Sequence, residues 1–204
     1  MPALDVLIPY FLILVLSLSI HEAAHAWTAD RLGDPTARML GRLTLNPLAH
    51  IDWIGTVLFP LLAIYSGLPL FGWAKPVPVN SHNLRAPRRD FAIVAVAGPI
   101  SNVVIAVVLA AAFAVMSDGA MPGRMTFLLG LGVSLNVVLA VFNMLPVPPL
   151  DGGNVLAGVL PEDLARVVDQ LRPWGFLILY ALLFTGLLGE YVFPIASELT
   201  QWLI

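Results

Sequence analysis

The sequence lacks cysteine and is poor in charged residues. Of its 204 residues, 11% are charged and 59% are hydrophobic, whereas soluble domains carry roughly 25% charged residues. Without cysteine there are no disulfides and no thiolate metal sites, so any metal must be held by His, Asp or Glu. Because so few charges cannot build a water-facing surface, we expect the chain to lie in a lipid bilayer.

Two local features are also missing, a basic block and a basic N-terminus. Without a block of basic residues, nucleic-acid binding is not indicated. No Lys or Arg precedes the first apolar run, so we expect no cleaved signal peptide and keep this run in the mature protein. The longest polar stretch, about residues 72–90, is too short for an independent soluble domain.

Long apolar stretches predict an all-α polytopic membrane protein with about five to six membrane helices, some of them short or broken. The stretches lie at about 6–29, 51–71, 91–116, 125–147 and 173–189, with a weaker one at 191–204. A helix needs about 20 apolar residues to span the membrane, and the first, third and fourth stretches reach that length. Pro60 and Pro69 interrupt the second stretch, which we interpret as a broken or re-entrant helix.

The basic residues predict the orientation of these helices. Most of them fall on one side if the N-terminus is outside and the second stretch does not fully cross, and Arg124 alone lies on the other side. The residues on the common side are Arg31, Arg38, Arg42, Lys75, Arg85, Arg88, Arg89, Arg166 and Arg172. Because basic residues favour the cytoplasmic side, we expect a multi-pass protein of the plasma (inner) membrane with its N-terminus outside.

Two polar segments favour extended structure. Polar and apolar residues alternate with period two at 42–46, and two prolines alternate with valines at 75–80. Proline restricts a strand to the edge of a sheet. We predict a small β-sheet at the cytoplasmic membrane face with one open edge, and an ordinary interfacial loop is the alternative.

The end of the first apolar run carries a metal-binding pattern. His21 and His25 are four residues apart, a spacing that puts both imidazoles on one helical face within reach of a single zinc ion. Glu22 follows the first histidine and is placed to hold a zinc-bound water as general base. The alternative is a solvated polar face of a helix, but ionisable groups beside hydrocarbon normally face a functional interior.

A catalytic zinc site needs a third protein ligand and an open position for water. The candidate is Asp151, which follows the fourth apolar run in a segment broken by Pro146, Pro148 and Pro149. Non-helical backbone at membrane depth is tolerated only inside protein or beside a water-filled cavity. On these grounds alone, Asp151 is either a ligand or the N-cap of a helix that begins near Gly152.

Three motifs, taken in order, resemble those of the site-2 protease family of intramembrane zinc metalloproteases. They are His21-Glu22-x-x-His25, Gly98-Pro99-Ile100-Ser101-Asn102 and Asn143-x-x-Pro146-x-Pro148-x-x-Asp151-Gly152. The resemblance covers about residues 6–160 and indicates a minimal member without a PDZ or CBS domain. It implies one zinc ion per chain on His21, His25 and Asp151.

The resemblance also implies the activity and the partners. Glu22 is expected to be the catalytic base in hydrolysis of a peptide bond within or near a transmembrane segment of a substrate protein, as in regulated intramembrane proteolysis. Residues 1–204 would form a single metalloprotease domain, with a catalytic core at about 6–160 and C-terminal helices at 161–204. Expected partners are transmembrane protein substrates and the lipid bilayer, and homo-oligomerisation is left open.

Three polar residues are candidates for supporting roles. Asn143 is expected to orient the substrate backbone or stabilise the oxyanion, or else to make a hydrogen bond between helices. Asn102 follows a Gly-Pro pair that would bend the third span, and it is either catalytic or a packing residue. His50 is either a gate or extra ligand at the site, or an anchor of the second stretch at the interface.

The predicted sheet edge is a candidate for substrate binding. An unwound substrate segment could add to it as a strand, held by Lys75, Val77 and Val79 beside Asn143. Two other classes of function remain as alternatives. A zinc transporter would need further polar ligands along several helices, and a non-catalytic relative that binds membrane helices would not need Glu22 as a base.

Overall fold

The structure is a computed structural model, and it describes residues 4–59, 62, 73–117 and 123–204. The α-helices within these residues are α1 (Leu4–Arg31), α2 (Thr36–Met39), α3 (Pro87–Ser117), α4 (Gly123–Asn143), α5 (Asp151–Val159), α6 (Glu162–Leu171), α7 (Gly175–Phe184) and α8 (Leu187–Leu203). Short 3-10 turns occur at Pro47–Ala49, Ser81–Asn83 and Arg172–Trp174, and a π-helical turn occurs at Trp53–Leu58.

Four helical stretches in the described ranges are long and apolar enough to cross a membrane. They are Val6–Arg31, Pro87–Met116, Gly123–Asn143 and Glu162–Phe184. The first three confirm the predicted helices at the first, third and fourth apolar stretches. The last joins the charged helix α6 to the apolar helix α7 and begins before the predicted stretch at 173–189. The protein is therefore a mostly helical membrane protein.

The apolar stretches at 51–71 and 191–204 differ in outcome. The interpretation of 51–71 as a broken or re-entrant helix lies largely outside the described residues, which include the turn Trp53–Leu58. The stretch at 191–204 belongs to α8, a 17-residue helix with Pro194 inside it. This helix packs against α4, and its Ala196 is almost fully buried.

The predicted β-sheet is wrong, because the described part of the chain contains no β-strand. Residues 73–80, called segment 73–80 below, have no regular secondary structure. Pro76 and Pro78 have no N–H groups to donate to a ladder. The carbonyl of Lys75 accepts a hydrogen bond from the guanidinium of Arg42 at 2.6 Å.

Carboxylates take two other backbone groups of segment 73–80. The Val77 N–H donates to Glu22 at 2.7 Å, and the Asn80 N–H donates to Asp34 at 2.7 Å. These bonds use donors that a neighbouring strand would need. The segment is therefore fixed along α1 and the turn that follows it, as the interfacial-loop alternative predicted.

Small side chains bring the long helices into close contact. A buried cluster joins α3, α4 and α8 and comprises Ala106, Ala110, Val133, Val137 and Ala196. Small residues at helix interfaces let backbones approach closely inside a membrane. Helix α5 packs as closely on α3, since a Cβ added to Gly158 would lie 2.3 Å from the Cβ of Ala92. The candidate site lies where α1, α3, α4 and the start of α5 meet.

Candidate metal centre

Helix α1 supplies two buried imidazoles to one point. His21 and His25 are 4% and 8% exposed, and their rings meet edge to face. One turn of helix separates them, so their Nε2 atoms lie 3.0 Å apart. The i, i+4 spacing predicted this shared face.

Asp151 enters the same point from the first turn of α5. Its Oδ2 lies 3.1 Å from Nε2 of His21 and 3.4 Å from Nε2 of His25. The N-cap residue of α5 is Leu150, and no side chain caps this helix. The structure therefore places the Asp151 carboxylate at the histidines rather than at the helix end, although the positive N-terminus of α5 also favours a carboxylate there.

Glycines after Asp151 allow this approach. A Cβ on Gly152 would lie 2.3 Å from the carbonyl oxygen of Met144, and a Cβ on Gly153 would lie 2.7 Å from the backbone nitrogen of Pro148. The first turn of α5 is thus packed directly on the backbone of the proline-rich break. Larger residues at either glycine would push Asp151 away from α1.

The Nε2 atoms of both imidazoles lie near Asp151, and the Nδ1 atoms contact α3 instead. Nδ1 of His25 lies 2.8 Å from the carbonyl oxygen of Val94, and Nδ1 of His21 lies 2.6 Å from Oδ1 of Asn102. A carbonyl oxygen only accepts, so Nδ1 of His25 carries the proton. Such contacts orient metal-binding histidines and leave Nε2 as the ligand atom.

The donor set fits a zinc ion. With both imidazoles neutral, three electron-pair donors face one another, and Oδ2 of Asp151 is buried without a hydrogen-bond partner. For zinc–ligand distances of about 2.0–2.1 Å, the ligand atoms of a tetrahedral site lie about 3.3 Å apart. The observed separations of 3.0, 3.1 and 3.4 Å agree with that arrangement. Among the described residues, His21, His25 and Asp151 form a group whose ligand atoms all lie within 4.8 Å of one another, close enough to hold one metal ion.

Gly98 of α3 contacts this centre, a role that the sequence analysis did not assign. A Cβ at this position would lie 2.4 Å from Nε2 of His25 and 2.5 Å from Nε2 of His21. Any side chain here would fill the space beside the two ligand atoms. The sequence showed only that a Gly-Pro pair interrupts an apolar run, which carries no information on what the glycine faces.

A cavity of ≈ 590 Å³ lies next to the three ligands. Binding pockets for small molecules typically measure about 300–1,000 Å³. Its polar lining consists of His21, Glu22, His25, Asn143, Asp151 and Asn154, and its apolar lining includes Leu18, Trp73, Val77, Val79, Phe91, Leu139, Phe142, Phe176 and Leu179. Glu22 is 9% exposed and is one of the residues that line this cavity.

The supporting residues are distributed unevenly around the cavity. Asn143, Val77 and Val79 line it, and Nδ2 of Asn143 also donates to the carbonyl oxygen of Leu139 at 2.9 Å. The exposed Lys75 does not line the cavity.

Asn102 and His50 lie away from the cavity. Asn102 is fully buried behind His21, which is a position for orienting a ligand rather than for touching a substrate. His50 is buried near the start of the second stretch, where its Nε2 bonds to the carbonyl oxygen of Thr44 at 2.9 Å. The backbone carbonyl of His50 also accepts a hydrogen bond from the backbone N–H of Lys75 at 2.8 Å. His50 therefore joins the polypeptide near Thr44 to Lys75 through hydrogen bonds. It is not one of the three converging ligands.

The sequence of this chain is similar to the sequences of known proteins over most of its length. The sequence model of peptidase family M50 matches residues 9–127 and 114–185. The Bacillus subtilis (strain 168) protein "Putative zinc metalloprotease YwhC" is 38% identical over 193 residues, which cover 91% of this chain and 84% of that protein. The Mycolicibacterium smegmatis protein "Putative zinc metalloprotease Rip2" is 36% identical over 191 residues, which cover 92% and 70%. No solved structure matches the chain.

The family match spans all three motifs and the four long helical stretches, except for the first residues of α1. The chain belongs to peptidase family M50, the site-2 protease family of zinc metalloproteases.

Proposed function

We propose that this enzyme hydrolyses peptide bonds within or beside transmembrane segments of other membrane proteins, with one zinc ion per chain on His21, His25 and Asp151. The observation that carries the proposal is the convergence of two imidazole nitrogens and a buried carboxylate oxygen on one point of a largely apolar cavity. Such a cavity suits an apolar peptide, and it lies among helices that are long enough to cross a membrane.

The chain's own residues would divide the reaction as follows. Zinc, when bound, would polarise the scissile carbonyl and make a nearby water more acidic. Glu22 would take the proton of that water as it attacks the carbonyl carbon and would return the proton to the leaving amine. Asn143 lines the cavity and would donate to the oxyanion that develops on the substrate.

Segment 73–80 would hold the substrate in an extended form. A peptide bond in a helix is shielded by the hydrogen bonds of the helix, so the substrate must unwind locally before attack. Val77 and Val79 line the cavity, and backbone carbonyls of this segment would accept from N–H groups of the extended peptide. Lys75 is exposed and lies outside the cavity lining, so Val77 and Val79 rather than Lys75 would contact the substrate.

We infer a multi-pass protein of the plasma (inner) membrane, with its N-terminus outside and its cavity towards the cytoplasmic side. The basic residues Arg31, Arg38 and Arg42 follow the metal-binding end of α1 directly, which supports this orientation. The substrates in this arrangement are other transmembrane proteins, and regulated intramembrane proteolysis is the class of process that the enzyme would serve.

Bound zinc is the first quantity to measure. We expect about one zinc per chain in detergent-purified enzyme by mass spectrometry, and a large loss in Asp151→Ala because two ligands alone hold zinc weakly. Asp163→Ala is the matched control, since the side chain of Asp163 is 92% exposed. Full retention of zinc in Asp151→Ala would remove Asp151 from the ligand set and contradict the proposed site.

Glu22→Gln separates catalysis from metal binding. We expect this variant to keep its zinc and to lose cleavage of a transmembrane substrate by roughly 100-fold or more, because a glutamine cannot accept the proton. Cleavage at the wild-type rate in zinc-loaded Glu22→Gln would show that another group is the base. Zinc flux into proteoliposomes without cleavage would instead support the transporter alternative.

A further inference from the structure

A chain of buried polar groups runs from the metal centre into the membrane-spanning helices. Oδ1 of Asn102 lies 2.6 Å from Nδ1 of His21, and Nδ2 of Asn102 donates to Oδ1 of Asn136 at 3.0 Å. Nδ2 of Asn136 in turn donates to Oγ of Ser17 at 3.0 Å and to the carbonyl oxygen of Gly132 at 2.9 Å. The chain joins α1, α3 and α4.

This chain is enclosed by protein. Asn102 and Asn136 are both 0% exposed, and Ser17 is 3% exposed. An amide inside a membrane-spanning helix is costly unless its groups are paired. A hydrogen bond between helices would account for one buried asparagine, but two asparagines in series that end on a metal-ligand candidate indicate a more specific role.

The Gly132 carbonyl determines the direction of every bond in the chain. A backbone carbonyl only accepts, so the amide of Asn136 must turn its Nδ2 towards Gly132 and its Oδ1 towards Asn102. Asn102 must then present Nδ2 to Asn136, which leaves its Oδ1 facing His21. An amide in the reverse orientation would bring two acceptors together at Gly132.

The tautomer of His21 follows from this direction. Facing the Oδ1 of Asn102, the Nδ1 of His21 must carry the proton. The Nε2 atom then has a free electron pair on the side of Asp151, which lies 3.1 Å away. His25 reaches the same state by a shorter route, through the Val94 carbonyl.

We propose that Asn136 is a positioning residue of the metal centre, because it orients Asn102 and thereby holds His21 in the Nδ1–H tautomer that can bind a metal through Nε2. The inference rests on the zinc site of the proposed function, but the tautomer itself exists without the metal. Asn136 touches neither the ligand atoms nor the cavity, so it acts through Asn102.

The tautomer can be read directly in metal-free protein. The protein contains four histidines in all, so the nitrogen NMR spectrum of histidine-labelled protein is simple. The His21 signals are assigned by substituting that residue. In the pH range in which the histidine signals no longer change with pH, so that the imidazoles are neutral, we expect wild-type His21 as the Nδ1–H form. In Asn136→Leu the amide of Asn102 can rotate, and we expect a mixture with the Nε2–H form.

Zinc affinity provides the second readout. Loss of a partner that orients a metal-binding histidine typically costs 10–100-fold in affinity, and we expect a loss of about that size in Asn136→Leu by competition with a chelator. With its carboxyl group protonated, Asn136→Asp should keep the wild-type tautomer, because one oxygen still accepts from Asn102 while the hydroxyl donates to the Gly132 carbonyl. His25 is an internal reference, since the Val94 carbonyl orients it independently.

Ser19→Ala is the matched control for the loss of a buried hydrogen bond. Ser19 is 1% exposed and lies on α1, the helix that carries His21. Its Oγ donates to the Val15 carbonyl within α1 and has no part in the chain of polar groups. This variant should leave both the His21 tautomer and the zinc affinity unchanged. If Asn136→Leu does not fold, Asn136→Ala removes the same amide without added bulk and is measured in the same way.

The outcomes separate this inference from the proposed function. A wild-type tautomer in folded Asn136→Leu or Asn136→Ala would overturn the role of Asn136, whatever the enzyme cleaves. An equal change of the tautomer in Ser19→Ala would overturn it as well, since the effect would then be one of general packing. Absence of zinc in the wild-type protein would defeat the proposed site, while the tautomer comparison would still decide whether Asn136 orients His21.

Discussion

The candidate metal centre and segment 73–80 border the same cavity, but different forces hold them. The ligands are positioned by close packing, since Gly98 lies against both imidazoles and Gly152 lies against the backbone of the proline-rich break. The segment is instead held by hydrogen bonds from its backbone to Glu22 and Asp34. Packed interfaces tolerate little displacement, whereas hydrogen bonds can be exchanged for water or for another peptide.

This difference suits the two tasks of a protease. A metal site requires ligands in a constant geometry, because misplaced ligands lose affinity and reactivity. A segment that holds the substrate, as proposed for residues 73–80, must release its own contacts when an extended peptide arrives. Changes to packing should therefore abolish metal binding, and changes to the hydrogen bonds of the segment should affect the substrate while the metal stays bound.

Gly98→Ala is expected to have the largest effect. The added methyl group would lie 2.4 Å from Nε2 of His25, so the imidazoles must move and most of the bound zinc should be lost, together with proteolysis. Zinc per chain by mass spectrometry checks this. Gly189→Ala is the control, because a Cβ at this helical glycine meets nothing within 4 Å. Normal zinc content in Gly98→Ala would show that packing of α3 does not constrain the centre.

The Gly98 contact also shows where inference from sequence ends. Local spacing predicted that His21 and His25 share a face, and the proline-rich break directed attention to Asp151. All three positions meet in the structure. The close approach of α3 depends on which helices are neighbours, and no local pattern in the sequence carries that information.

Two other residues illustrate different limits. Asn136 had a usable signal, because an asparagine within an apolar run must be paired or functional, and it was not used. The sheet predicted at 42–46 and 75–80 failed for another reason. Alternation indicates an extended chain but does not identify the partner, and here the carboxylates of Glu22 and Asp34 accept from Val77 and Asn80.

Val77→Pro is expected to have an intermediate effect. It removes the N–H that donates to Glu22 at 2.7 Å, and a hydrogen bond to a charged group contributes about 1.5–3 kcal/mol. With segment 73–80 released from α1 at this point, we expect KM for a transmembrane substrate to rise by about 10-fold or more while zinc content stays normal. Steady-state kinetics and zinc analysis check the two halves of this expectation.

Val77→Ala is the matched variant for this test. It shortens a side chain that lines the cavity but keeps the N–H, so its effect on KM should be smaller. A loss of zinc in Val77→Pro would mean that the segment and the metal centre are not independent. An equal rise of KM in both variants would assign the effect to the side chain of Val77 rather than to its backbone.

Asp34 anchors the other end of segment 73–80, and its carboxylate is fully buried. Burial alone would raise the pKa of Asp34, but hydrogen bonds from Thr36, Asn83 and Asn80 stabilise the charged form more and hold its pKa below the usual value. A carboxyl group whose pKa is lower in the folded state stabilises the protein above its unfolded pKa, about 3.9. This contribution is lost as the pH falls through the folded pKa.

Asp34→Asn is expected to have the smallest effect, seen mainly in stability, because it keeps one acceptor oxygen at the far end of segment 73–80 from Val77. The variant should lower Tm at neutral pH. Thr36, Asn80 and Asn83 donate to the two carboxylate oxygens of Asp34, and an amide would offer them one acceptor oxygen. Zinc content should stay normal, since Asp34 is not among the converging ligands. As the pH falls from about 6 to about 3, Tm of the wild type should approach that of Asp34→Asn. A constant difference across this range would show that the charge of Asp34 does not stabilise the fold, and the segment would then depend on its remaining contacts with α1.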